Sequence, residues 1–124
     1  MHLSSTTTPP TEPLFVPTPA ASGVPQLIAR CPTCYVALYS HYGGKKLFSF
    51  VRVGTLGEGS RQRVKPDVHI FTDTKVEWVD LKSEAERGAG VYDQFYDRKE
   101  VWSPESLERR EVLMRDAGKL MKEQ

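Results

Sequence analysis

Gln26-Leu27-Ile28-Ala29-Arg30-Cys31-Pro32-Thr33-Cys34-Tyr35-Val36-Ala37-Leu38-Tyr39-Ser40-His41 holds two short apolar runs on either side of a four-residue turn. Each run has the length of a strand, and a turn between two such runs makes a hairpin. The turn is Cys-x-x-Cys, which aims two sulfur atoms at one point in space. A strand–CxxC–strand unit is the arm of a zinc ribbon. No other cysteine occurs in the chain. A structural zinc takes four ligands, so Cys31 and Cys34 supply half a site.

The elements expected downstream are mostly strands. Tyr42-Gly43-Gly44 is a turn signal, and Leu47 to Val53 is apolar on both faces, the pattern of a central strand. Gly54 to Lys65 reads as a polar, glycine-bearing loop. Val68-His69-Ile70-Phe71 follows as a strand, with Val76 to Val79 as a further extended segment. Lys82 to Gly90 reads as a charged loop, and Tyr92, Phe95, Tyr96 and Trp102 as an aromatic cluster covering a sheet face. The spacing of Leu107, Met114, Ala117 and Met121 predicts a helix over 103–122. Ser103 suits its N-cap, Pro104 its first turn and Glu105 its dipole.

The N-terminal end differs in kind. Met1 to Pro25 carries six of the nine prolines and a Ser/Thr run, so residues 1–25 are expected to be a mostly disordered tail, with Leu14-Phe15-Val16 as its one apolar cluster and the one place open to local docking. Residues 26–124 then form one small domain. A domain of roughly 100 residues hides only about 60–65% of its unfolded surface, and a metal is a common supplement to so small a core. The net charge is +1, with the two signs interspersed, which argues against nucleic acid or anionic membrane as a partner. There is no apolar run near the roughly 20 residues of a membrane span and no secretory pattern at the start. An intracellular, cytoplasmic setting is expected, where a close cysteine pair favours metal or redox work over a structural disulfide.

From Cys31 onward the order of motifs is specific: Cys31-Pro32-Thr33-Cys34, then Leu47-Phe48-Ser49-Phe50-Val51-Arg52-Val53-Gly54-Thr55-Leu56, then Pro66-Asp67-Val68-His69-Ile70-Phe71-Thr72, Lys75 and Trp78-Val79. This resembles the C-terminal half of the glutathione-dependent formaldehyde-activating enzyme and centromere protein V family, over about residues 27–110. The resemblance implies a mainly β, tent-like fold of zinc-ribbon hairpins and coiled sheets. It also implies carbon–sulfur lyase chemistry on a glutathione adduct, with one structural and one catalytic zinc. By position, Cys31 and Cys34 match the late cysteine pair of that pattern, which belongs to the structural zinc. The early pair and the catalytic trio have no counterpart, because residues 1–30 contain no cysteine. The residue after the second cysteine is Tyr35, where the family usually has glycine. Knuckle turns favour positive φ there, which a bulky residue adopts only with strain.

Three readings of the thiol pair stay open: a zinc or other soft-metal site, a retained pair of reduced thiols, and a redox motif. His41 lies seven residues after Cys34, seven strand steps or roughly 23 Å away, and so is not a further ligand. His69 reads as a hydrogen-bonded or surface residue, and Asp67, Asp73 and Asp80 as solvated turn residues. The expected function is a carbon–sulfur lyase-type, metal-binding domain that is catalytically incomplete in this chain. The alternatives are a non-catalytic zinc-binding or interaction module and a truncated gene product. Two chains that each offer Cys31 and Cys34 to one zinc would complete a four-thiolate tetrahedron. The competing expectation is a monomer with a weak or empty site.

Overall fold

The computed structural model describes residues 12–43 and 46–122. The chain falls into two compact units, Met1–Arg63 and Val64–Gln124. Among the described residues no helix is long and apolar enough to cross a membrane.

The first unit is a four-stranded antiparallel sheet in the order β1-β2-β3-β4. Its strands are β1 (Leu14–Thr18), β2 (Gln26–Arg30), β3 (Ala37–His41) and β4 (Phe50–Val51). The β2–β3 hairpin forms as expected, with Leu27 opposite His41 and Ala29 opposite Tyr39. Arg30 then pairs with Ala37, so Leu38 bulges out of the ladder. Its carbonyl accepts the N–H of Arg52 at 2.9 Å instead.

Two expectations change here. The stretch 1–25 is not a tail throughout: Leu14–Thr18 is a strand, paired with β2 from Leu14 opposite Arg30 to Thr18 opposite Gln26. Residues 1–11 of that stretch lie outside the described residues. The physical reason is the apolar cluster. Phe15 sits opposite Ala29, which sits opposite Tyr39. Ala29 is fully buried, and its small side chain lets the Phe15 and Tyr39 rings close over it edge to face at 6.1 Å. The His41 ring stacks on Phe15 at 5.8 Å and meets Tyr39 at 5.4 Å. Pro17 is tolerated because β1 is an edge strand.

The second change concerns Leu47–Val53, expected to be central. Only Phe50 and Val51 pair, and they do so at the sheet edge. Continuing the ladder would bring Phe48 opposite Tyr42, but His41 Nδ1 donates to the Phe48 carbonyl at 2.8 Å. That side-chain bond takes the acceptor and bends the segment away. Downstream the chain turns through a 3-10 turn at Val53–Thr55 and α1 (Glu58–Arg61), where a loop was expected.

The second unit is built on two short parallel strands, β5 (Val68–His69) and β6 (Gly90–Val91). Gly90 N–H to Asp67 and Tyr92 N–H to His69, both 2.9 Å, carry the ladder. The strand expected to reach Phe71 stops early because Phe71 adopts φ 56 and opens a 3-10 turn at Thr72–Thr74. Val76–Val79 is a turn, not a strand, with Val79 N–H bonded to the Val76 carbonyl. The segment expected to be a charged loop contains α2 (Lys82–Glu86). Asp80 accepts the Lys82 N–H at 2.8 Å. Gly88 at φ 96 ends the helix, with Gly88 N–H bonded to Ala85 and Ala89 N–H to Glu84. That pair of bonds is a Schellman motif, and glycine is the residue that reaches its φ without penalty.

α3 (Arg98–Val101) and α4 (Pro104–Lys122) complete the chain. Ser103 caps α4 as expected, accepting the Ser106 N–H at its hydroxyl and the Leu107 N–H at its carbonyl. Helix outweighs strand, 34% to 19%, so the architecture is a small antiparallel sheet plus a C-terminal helix and not a mainly β one. The excess comes from α4 and from loops that coil into single helical turns. The aromatic residues do cluster: Phe95 stacks on Tyr96 at 4.5 Å, Tyr92 lies 6.0 Å from Tyr96, and Trp102 Nε1 donates to the Tyr96 hydroxyl at 2.9 Å.

Candidate metal centre at the hairpin turn

Cys31 and Cys34 sit at the end of the β2–β3 hairpin, where the chain must reverse. Cys31 N–H donates to the Val36 carbonyl and Tyr35 N–H to the Cys31 carbonyl, both at 2.9 Å, which closes the turn on itself. Both cysteines are free thiols, Cys31 half-buried and Cys34 exposed. The Cys31 thiol is held below its ordinary pKa by the backbone N–H of Cys34, then that of Thr33, with the Cys34 side chain adding to them. Amides directed at a sulfur favour the thiolate, the form that binds a metal or attacks a disulfide.

Tyr35, the residue after the second cysteine, has φ 62. A left-handed conformation costs an L-residue of this kind about 1–2 kcal/mol. Arg30 offsets part of that cost. Its guanidinium donates to the Tyr35 carbonyl at 3.0 Å and lies 5.0 Å from the centre of the Tyr35 ring. An exposed cation–π contact is worth about 0.5–1 kcal/mol. Arg30 was not singled out by sequence reasoning. The only available signal was its place just before the turn, across from the residue just after it.

Neither described histidine, His41 or His69, joins this turn. His41 stands at the far end of β3, buried between Phe15 and Tyr39 and bonded to Phe48. His69 belongs to the second unit, where its Nε2 meets Glu84 Oε2 at 2.9 Å. Arg87 completes that cluster. It donates from its Nε to Glu84 Oε1 at 3.0 Å, from its terminal nitrogen to Oε2 at 2.5 Å, and to the Pro66 carbonyl at 2.6 Å. Arg87 first and His69 second hold the Glu84 carboxyl at about 2. Glu84 and Arg87 share one face of a helical turn, a spacing visible in the sequence but hidden by reading the segment as a loop.

Among the described residues no three His, Cys, Asp or Glu side chains converge as a metal-holding group. The residues present therefore fit two of the four positions of a tetrahedral structural zinc and do not fit a three-thiolate catalytic one. No known family, no characterised protein and no solved structure matches the chain.

Proposed function

We propose that this chain is a thiolate metal-binding domain of carbon–sulfur lyase type in which the catalytic metal ligands are missing, so that its hairpin serves as a non-catalytic zinc-binding module. The observation that carries this reading is the closed Cys31–Cys34 turn at the tip of the β2–β3 hairpin, with Tyr35 in the left-handed region. A turn of this kind presents two sulfurs as one chelate, and zinc is the intracellular cation that two such chelates suit best. Cys31 and Cys34 would hold the metal. Bound there, it would lock the hairpin turn as a structural clamp, since metal binding to such a site is also folding energy.

The finer reading, a tent-like zinc-ribbon fold of the formaldehyde-activating and centromere protein V type, rests on the ordered motifs of residues 31–34, 47–56 and 66–72. A glutathione adduct is the substrate that resemblance implies. With no third cysteine in the chain, the three-thiolate catalytic zinc of that pattern, the Lewis acid for such a substrate, has no counterpart here.

Titration with cobalt(II) tests the reading. Wild-type protein should develop thiolate-to-metal charge-transfer absorption that zinc abolishes, and Cys31→Ser should remove it. Absence of that absorption in reduced wild-type protein would remove the metal assignment. Zinc-loaded protein supplied with formaldehyde and glutathione should turn over the adduct no faster than the blank.

A further inference from the structure

Building on the metal reading above, we propose that the Cys31–Cys34 turn is half of a shared site. A second copy of this chain completes it, each copy giving both thiolates to one zinc-class cation. Three observations lead there. The first is ligand count. Zinc in a structural site is closed by four protein ligands, and among the described residues no third His, Cys, Asp or Glu joins the pair. The second is access. Cys34 is exposed, and Tyr35 and Val36, which follow it in the chain, are 53% and 46% exposed, so the end of the hairpin offers a thiol and two large side chains to a partner. A two-fold axis through the metal sets that hairpin end against its own copy, as a closed dimer requires.

The third observation is charge. Four thiolates around a dication leave a net charge of −2. Each copy brings one Arg30 guanidinium, fixed over Tyr35 and bonded to the Tyr35 carbonyl beside the turn. Two copies therefore supply the +2 that the four-thiolate centre lacks. Pairing through the β2 edge is not the route, because β1 already occupies it from Leu14 to Thr18. The shared site needs contact only between the two turns, so association of this kind depends on the metal.

Native mass spectrometry of the reduced 124-residue chain, with and without one zinc per two chains, tests this. The expected species is a dimer of the 14.0 kDa chain holding a single zinc. It should revert to monomer on chelation and be absent for Cys34→Ser. Because Cys34 is exposed, that variant should keep the wild-type amide protection in β2 and β3, which separates loss of a ligand from loss of the fold. A monomer that binds one zinc overturns the shared site while leaving the metal reading intact. A chain that binds no zinc overturns both. A dimer that persists without zinc, or with zinc in Cys34→Ser, shows another interface and also overturns the proposal.

Discussion

Phe15→Ala separates the strand β1 from the disordered tail that composition alone suggests. Phe15 is 40% exposed in the folded chain. The remaining share of a phenylalanine's roughly 200 Å² is about 120 Å², worth ~3 kcal/mol at about 25 cal/mol per Å². Alanine keeps part of that contact, and a compact unfolded chain already hides another part, so the burial loss is ~1.5–2 kcal/mol. Losing the stacked contact with His41 and the edge contact with Tyr39 adds about 0.5–1 kcal/mol. The sum is about 2–3 kcal/mol, a large share of what holds so small a sheet. Both tryptophans, Trp78 and Trp102, lie in the second unit, so their fluorescence does not report this loss. Amide hydrogen exchange does. Protection of the Gln26–Arg30 amides should fall roughly 30- to 150-fold, since each 1.4 kcal/mol is about tenfold. A change under about threefold, with Leu14–Thr18 unprotected in the wild type, would refute the docking of β1 and return the segment to the tail.

At Tyr35, replacement by glycine should be more stable than replacement by alanine by about 0.5–1 kcal/mol in chemical denaturation, because both lose the Arg30 contact but only glycine escapes the positive-φ cost. The reverse order would show that the turn does not use the left-handed region. For Glu84, the folded pKa of about 2 lies below the ordinary 4.5, so the folded unit favours the carboxylate. Its stabilising contribution is complete above about pH 4.5 and is lost as pH falls toward 2. Arg87→Gln should raise the Glu84 pKa toward its ordinary value in a carboxyl-carbon NMR titration, and an unchanged midpoint would remove Arg87 as the cause. Gly88→Ala should destabilise the second unit by about 1 kcal/mol in thermal denaturation followed by Trp102, because its φ of 96 lies where side chains are strained. A neutral result would mean that the Schellman stop of α2 is not needed.

Short-range features were legible because their causes lie within a few residues. The β2–β3 hairpin needed only two apolar runs and a turn. The α4 start needed only Ser103, Pro104 and a 3.6-residue apolar period. The strain at Tyr35 followed from the stereochemistry of one position. Misreadings came where a local pattern met a distant partner. Leu47–Val53 has strand composition throughout, yet His41 captures the Phe48 carbonyl and leaves only two paired residues. Phe15 lies among prolines, yet Ala29 and Tyr39 give it a place to dock. The Glu84–Arg87–His69 cluster joins positions up to 18 residues apart in sequence, and only its helical half had a local signature.

By itself the sequence determined the two thiols, the turn that carries them, the hairpin on either side and the C-terminal helix. Those depend on residue chemistry and on spacings shorter than one strand or one helical turn. Only the tertiary structure decided which strands are central and which are edges, that part of the proline-rich stretch joins the sheet, and that His41 and His69 are spent on Phe48 and Glu84. The physical reason is that strand order and side-chain pairing depend on surfaces that exist only once other segments have folded against them. An apolar residue or an imidazole carries no mark in the sequence of which distant partner it will meet.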